Sequence, residues 1–151
     1  MTRTESEEEK ADRKFTDLLQ ELRVMQTGVQ LTAGFLLTLP FQQAFGDLTD
    51  GQRRIYLGLV VLAGLTTALV LTPVAVHRRL SGRHVKGRVV EVAHRLAQTA
   101  LGFVALLVVG ITGFIFDVVG DRPTALVAAG AMALLAVLLL FLLPHRLVDR
   151  A

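Results

Sequence analysis

The stretch AMALLAVLLLFLLP, residues 131–144, carries no polar side chain on any face. Each helix of a soluble four-helix bundle keeps one side for water, and this segment has none to offer. Reading outward, its uncharged character extends back to Pro123, and three more blocks share it: 24–45, 55–76 and 96–116 hold no Asp, Glu, Lys or Arg. A bilayer core about 30 Å thick is crossed by roughly 20 helical residues. All four blocks are long enough. The rest of the chain is the reverse, with twelve charges in residues 1–23 alone. The sequence therefore predicts an all-α, integral membrane four-helix bundle with spans at 24–45, 55–76, 96–116 and 123–144, and a non-cleaved start, because residues 1–23 are long and acidic where a signal peptide is short and basic.

Thirteen of the sixteen Lys and Arg residues fall in residues 1–23, in the 77–95 loop and after residue 144; the 46–54 and 117–122 loops hold three. Basic residues stay on the cytoplasmic side, so both termini and the middle loop are expected there, in the plasma membrane. Four crossings return a chain to its starting side, and span count and charge count agree. The loop HRRLSGRHVKGRVVEVAHR, residues 77–95, has six basic residues against one acid, Glu91. Arg78, Arg79, Arg83, Lys86 and Arg88 are the expected contacts for anionic headgroups, at about 1 kcal/mol each near such a surface. Basic clusters also mark nucleic-acid binders, but aromatic interleaving and any recognisable nucleic-acid motif are missing. Membrane lipids are the expected partners. With no cysteine in the chain, thiolate metal sites, iron–sulfur clusters and thioether haem are excluded.

Residues 1–12 read as a solvated tail. Phe15, Leu18, Leu22 and Leu19 then follow helical spacing with Lys14, Asp17 and Glu21 on other faces, a short amphipathic N-terminal helix. It is expected to stand up and dock on the start of the third span through the arc Val85, Val89, Val92 and Leu96, with a position lying in the membrane interface as the alternative. FGDLTDGQRR and DVVGDRPT are turn regions, with Pro123 suited to a first helical turn. The second span is expected to end at LTPVAVHRR, where Pro73 interrupts the bonding and basic residues mark the headgroups.

The first span differs from the others. Arg23, Gln26, Thr27, Gln30, Gly34 and Thr38 fall within about 60° of Arg23 on a helical wheel, so its polar groups form one stripe. Lipid cannot hydrogen-bond an amide, and the stripe is expected to meet other helices or trapped water, either as interhelical glue or as the lining of a pocket. Small residues recur on the other spans, among them Gly64 and Ala68, Gly102 and Ala105, and Ala125 and Ala129, which permits close helix approach.

Chemistry is sparse. Asp47, Asp50, Asp117 and Asp121 sit in the outer turns, where Asp commonly caps helices. His77, His84, His94 and His145 lack the i, i+4 spacing of a helical metal site. No nucleophile triad, phosphate loop or zinc-hydrolase motif is present, so no enzyme activity and no cofactor are expected.

Three segments, ELRVMQTGVQ (Glu21–Gln30), LTLPF (Leu37–Phe41) and PVAVHR (Pro73–Arg78), resemble the DUF6328 family of small actinobacterial membrane proteins. The resemblance implies a four-helix integral membrane protein without an established activity; for some relatives it implies sodium/proton antiport. Coupled cation exchange needs a titratable carboxylate reachable from both faces, and the four blocks contain none. The expectation is a structural or interaction component of the membrane, with a small oligomeric transporter or channel along the first span's stripe as the alternative. A homo-oligomer is the expected way for so thin a bundle to enclose any pore.

Overall fold

The computed structural model describes the backbone of residues 7–80, 86–143 and 146, and the side chains of these apart from 7–8, 11–12, 77–80, 86–90 and 141. Four long helices succeed one another: α1 (Glu7–Thr38), α2 (Asp50–Leu80), α3 (Lys86–Val119) and α4 (Arg122–Val137), the last continued by a π-helical turn, Leu138–Leu142. Three runs, Asp50–Val76, Glu91–Val119 and Arg122–Leu140, are long and apolar enough to cross a membrane. The exception is α1, whose glutamines dilute an otherwise apolar segment.

The buried residues show why α1, α2 and α3 pack together. On α1 they are Phe15, Leu18, Leu22, Val29 and Leu36; on α2, Tyr56, Leu59, Ala63, Thr66, Val70 and Pro73; on α3, Ala93, Ala97, Ala100, Leu107 and Phe114. Spacings of three and four residues, or their sum of seven, run along each set, which is the periodicity that lets helices pack side by side at small crossing angles. At one end the large Phe15, Leu18 and Leu22 lie with Val70 and the three alanines of α3. At the other, Leu36 meets Tyr56, Leu59, Leu107 and Phe114. The chain therefore runs up α1, down α2 and up α3. The amphipathic segment expected at residues 13–23 is the first half of α1, continuous with the second half of the same helix. It docks on α3 as expected, but through Ala93, Ala97 and Ala100, leaving Val92 46% exposed; Val85 and Val89 lie outside the described side chains. Alanine wins because it lets bulky residues seat between the backbones.

The expected four-helix bundle is met only in part. Among the described residues α4 packs on α3 and on no other helix, and only 6% of its span is buried within the chain. Its seam is narrow: a Cβ added to Gly113 of α3 would lie 3.1 Å from the Ala129 Cβ. Leu126 and Val127 are 67% and 73% exposed. A helix apolar on every side and packed on one neighbour is compatible with lipid as its remaining solvent.

The turns are tied by specific bonds. Helix α1 stops at Thr38, two residues before Pro40, and the chain continues as two short 3₁₀ turns, Leu39–Phe41 and Gln43–Asp47; the block 24–45 is thus not helical throughout. Pro40 lies four residues after Leu36 and has no N–H to donate to its carbonyl. The buried Tyr56 hydroxyl of α2 donates to that oxygen instead, at 2.9 Å, while the Tyr56 ring meets Phe45 edge-on with centroids 5.1 Å apart. At the start of α2, the Thr49 N–H donates to Gln52 Oε1 at 3.0 Å and the Gln52 N–H to Thr49 Oγ1 at 3.3 Å, a reciprocal capping box. The Gln52 amide nitrogen then donates to the Asp117 carbonyl of α3 at 3.0 Å. Asp121 caps α4, accepting from the Thr124 N–H at 2.9 Å; hydrogen bonds from the Thr124 side chain and backbone hold its carboxyl below the ordinary carboxylate pKa. The apolar run of α2 ends at Val76, where the second span is expected to stop, while the helix carries Pro73 buried within it and continues to Leu80.

Because Leu36 has no backbone donor from Pro40, Tyr56→Phe is expected to lower stability by about 1–3 kcal/mol, the usual penalty for orphaning a buried acceptor. Equilibrium unfolding in mixed micelles reads this directly, since the substitution removes the hydroxyl and keeps the ring.

Candidate functional site

The polar stripe of α1 is the feature that packing alone does not explain. The seven-residue rhythm from Phe15 to Leu36 turns α1's apolar arc inward and leaves the stripe on the opposite side. Arg23, Thr27, Gln30, Gly34 and Thr38 are exposed, and Gln26 is half-buried. Within one chain, then, most of the stripe lies at the surface, and Thr38 borders a groove between α1 and α3.

The residues of the stripe are not equivalent. Thr27 Oγ1 donates to the Arg23 carbonyl at 3.0 Å, and Thr38 Oγ1 to the Phe35 carbonyl at 2.7 Å. Threonine hydroxyls satisfy themselves on their own helix in this way. Among the described residues neither the Gln26 nor the Gln30 side chain has a hydrogen-bond partner. Leu22 packs with Val70 and Leu36 with Tyr56 and Leu59, so Gln30, between them on α1, lies near the level of Ala63, the middle of the apolar Asp50–Val76 run of α2. An amide left without a partner in hydrocarbon costs several kcal/mol, roughly 2–7 by transfer measurements.

Between α1 and α3 lie two surface grooves. One, about 500 Å³, is lined by Val24, Met25, Ala97 and Leu101, with Glu21, His94 and Gln98 at its polar edge. The second, about 480 Å³, lies towards the far end between Phe35, Leu36, Val108 and Ile115, with Thr38 and Gln42 at its margin. Both open sideways. A third and shallower one, about 190 Å³, runs along the α3–α4 seam, where the Asp117 carboxylate accepts from Arg122 at 3.3 Å. That pairing accounts for Asp117, and the helix cap for Asp121. Among the described residues no group of three His, Asp or Glu side chains is placed to hold a metal ion.

Of the expected headgroup contacts, Arg78 and Arg79 belong to the last turn of α2, and Lys86 and Arg88 to the first turn of α3; their side chains, and Arg83 entirely, lie outside the described residues. Sequence reasoning did not identify the Thr49–Gln52 capping box, although the T-x-x-Q spacing signals one. It also did not anticipate the Tyr56–Leu36 bond, for which Pro40 four residues after Leu36 was the available sign.

Since the Gln26 and Gln30 side chains make no hydrogen bond among the described residues, replacing Gln30 by Leu is expected to leave the monomer's unfolding free energy within about 0.5 kcal/mol of the original, as for an ordinary surface change. A loss of roughly 2 kcal/mol or more in dilute micelles, that of a broken buried bond, would show that the amide holds the helices of one chain together.

No curated protein and no solved structure matches this sequence. The family model for DUF6328, a family of unknown function, matches residues 4–144, and the chain belongs to that family.

Proposed function

We propose that this chain is a non-enzymatic, multi-pass protein of the plasma membrane that serves as an interaction component, with both termini in the cytoplasm. In this reading α1 crosses the bilayer beside α2, α3 and α4. Two observations support the fourth crossing: α1 accompanies α2 from the level of Val70 to that of Tyr56, and an even count matches the distribution of basic residues. The observation that carries the functional reading is the exposure of Gln30 at the surface of the chain, with Gln26 half-buried beside it. A transporter arranges polar groups around a path inside the protein, whereas this chain turns them towards whatever lies beside it. At the cytoplasmic side, Arg78, Arg79, Arg83, Lys86 and Arg88 gather anionic headgroups or an acidic partner.

A small oligomeric transporter or channel, for cations or protons, is the second reading. It is favoured by the unpartnered amides at mid-depth, which would line a passage only between copies.

Replacing Arg78, Arg79, Arg83, Lys86 and Arg88 together with Gln is expected to strip most co-purifying anionic lipid, since five cations at about 1 kcal/mol each are removed. Unchanged lipid retention would contradict the interaction reading. In proteoliposomes, sodium and proton fluxes are expected to match those of empty vesicles; a flux abolished by Gln30→Leu would assign the protein to transport.

A further inference from the structure

The groove of about 500 Å³ between α1 and α3 has a direction. Its apolar walls, Val24 and Met25 of α1 with Ala97 and Leu101 of α3, begin where the charge-free segments 24–45 and 96–116 begin. Its polar edge is Glu21, His94 and Gln98. Leu18 and Leu22 pack with Ala93 and Ala97, so Glu21 and His94 stand at one level, just outside the charge-free segments. A polar mouth and an apolar floor follow one another in the order in which a phospholipid of the cytoplasmic leaflet presents its headgroup and its acyl chain. Among the described residues none of the Glu21, His94 and Gln98 side chains has a hydrogen bond or an ion pair. The charges around them are matched or turned away. Glu91 is bonded to Arg95 at 2.6 Å, Lys14 offsets Asp17 three residues along α1, and Arg23 leaves α1 on another side. The mouth therefore offers one free carboxylate, one imidazole and one amide.

We infer that this groove is a binding site for a phospholipid with a primary ammonium, of the phosphatidylethanolamine class, drawn from the cytoplasmic leaflet. The inference rests on the proposed membrane crossing of α1, and it concerns a different place and a different lipid from the anionic headgroups assigned to the 77–95 stretch. Glu21 accepts charge-assisted hydrogen bonds from the ammonium. His94 and Gln98 supply N–H donors to the phosphate and ester oxygens, and one acyl chain lies along Val24, Met25, Ala97 and Leu101. Charge selects the headgroup. Phosphatidylglycerol has no cation for Glu21 and brings a second negative charge beside it. A choline headgroup has no N–H to donate; quaternary ammonium is held by aromatic faces, and no aromatic residue lines this groove. The second groove, near Thr38 and Gln42, has no charged residue in its lining and carries no such selection.

Native mass spectrometry of the full chain, released from nanodiscs of equal parts phosphatidylethanolamine, phosphatidylcholine and phosphatidylglycerol, tests this. One phosphatidylethanolamine per chain is expected to persist under activation that strips phosphatidylcholine. Glu21→Gln is expected to lower that retention roughly tenfold, as loss of a hydrogen bond to a charged group does, and to leave phosphatidylglycerol retention unchanged. Leu101→Trp, which fills the groove with Glu21 in place, is expected to lower it too; Leu57→Trp, at an exposed position on α2, is not. Phosphatidylethanolamine held no better than phosphatidylcholine, or held equally by Glu21→Gln and Leu101→Trp, would overturn the groove's assignment; phosphatidylglycerol retained in the same spectra would leave the membrane role standing. Retention of no lipid at all would overturn both.

Discussion

Hydrocarbon accepts and donates no hydrogen bonds, so every polar group at membrane depth has to find its partner in protein. Much of this molecule is a response to that one constraint. The carbonyl of Leu36, deprived of an N–H by Pro40, is met by the Tyr56 hydroxyl. Thr66, fully buried, donates to the carbonyl of Leu62 at 2.7 Å, and Thr32, Thr67, Thr72 and Thr112 return their hydroxyls to their own helices. In the proposed crossing of α1, Gln26 and Gln30 are where the described residues alone do not meet the requirement.

The same constraint explains the uneven packing. α1 has an inner side that interlocks with α2 and α3 because its large side chains face the alanines of α3 at one end and an aromatic group at the other. α4 needs no such interlock. With lipid as compatible as leucine on most of its circumference, contact through Gly113, Ala125 and Ala129 places it beside α3, assisted by the Asp117–Arg122 pair at the turn. That pair is exposed on the arginine side and adds little by itself; its role is to fix the turn's geometry.

The helical character of the four charge-free blocks and the apolar inner arc of residues 15–22 were legible in the sequence, because charge-free length and three-to-four spacing are strong signals, but the end of α1 at Thr38, inside the first block, was not. The direction of α1's polar stripe was not. A wheel shows that Gln26, Gln30 and Gly34 share a side, but the inward side was fixed by Met25, Val29 and Leu36 continuing the arc begun at Phe15, and that continuation is disguised by the glutamines between them. Nor did periodicity reveal that, among the described residues, α4 packs only on α3: a helix apolar all round carries no mark of which arc is covered. Pro73 signals a helix end in water, yet inside a packed apolar helix a proline is tolerated when neighbours and side chains compensate, and α2 passes through it. For the basic residues of 77–95, composition remains the basis for the assignment to anionic headgroups.

The central claim is that α1 lies at the same depth as α2 and so crosses the bilayer as a fourth helix. Single cysteines at Arg23 and Gly46, at the two ends of the first charge-free segment, test it most directly when sealed vesicles of known orientation are treated with a thiol reagent that cannot cross membranes. The account predicts that residue 23 is labelled only from the cytoplasmic face and residue 46 only from the opposite one. Labelling of both from a single face would mean that α1 does not span, and would contradict it.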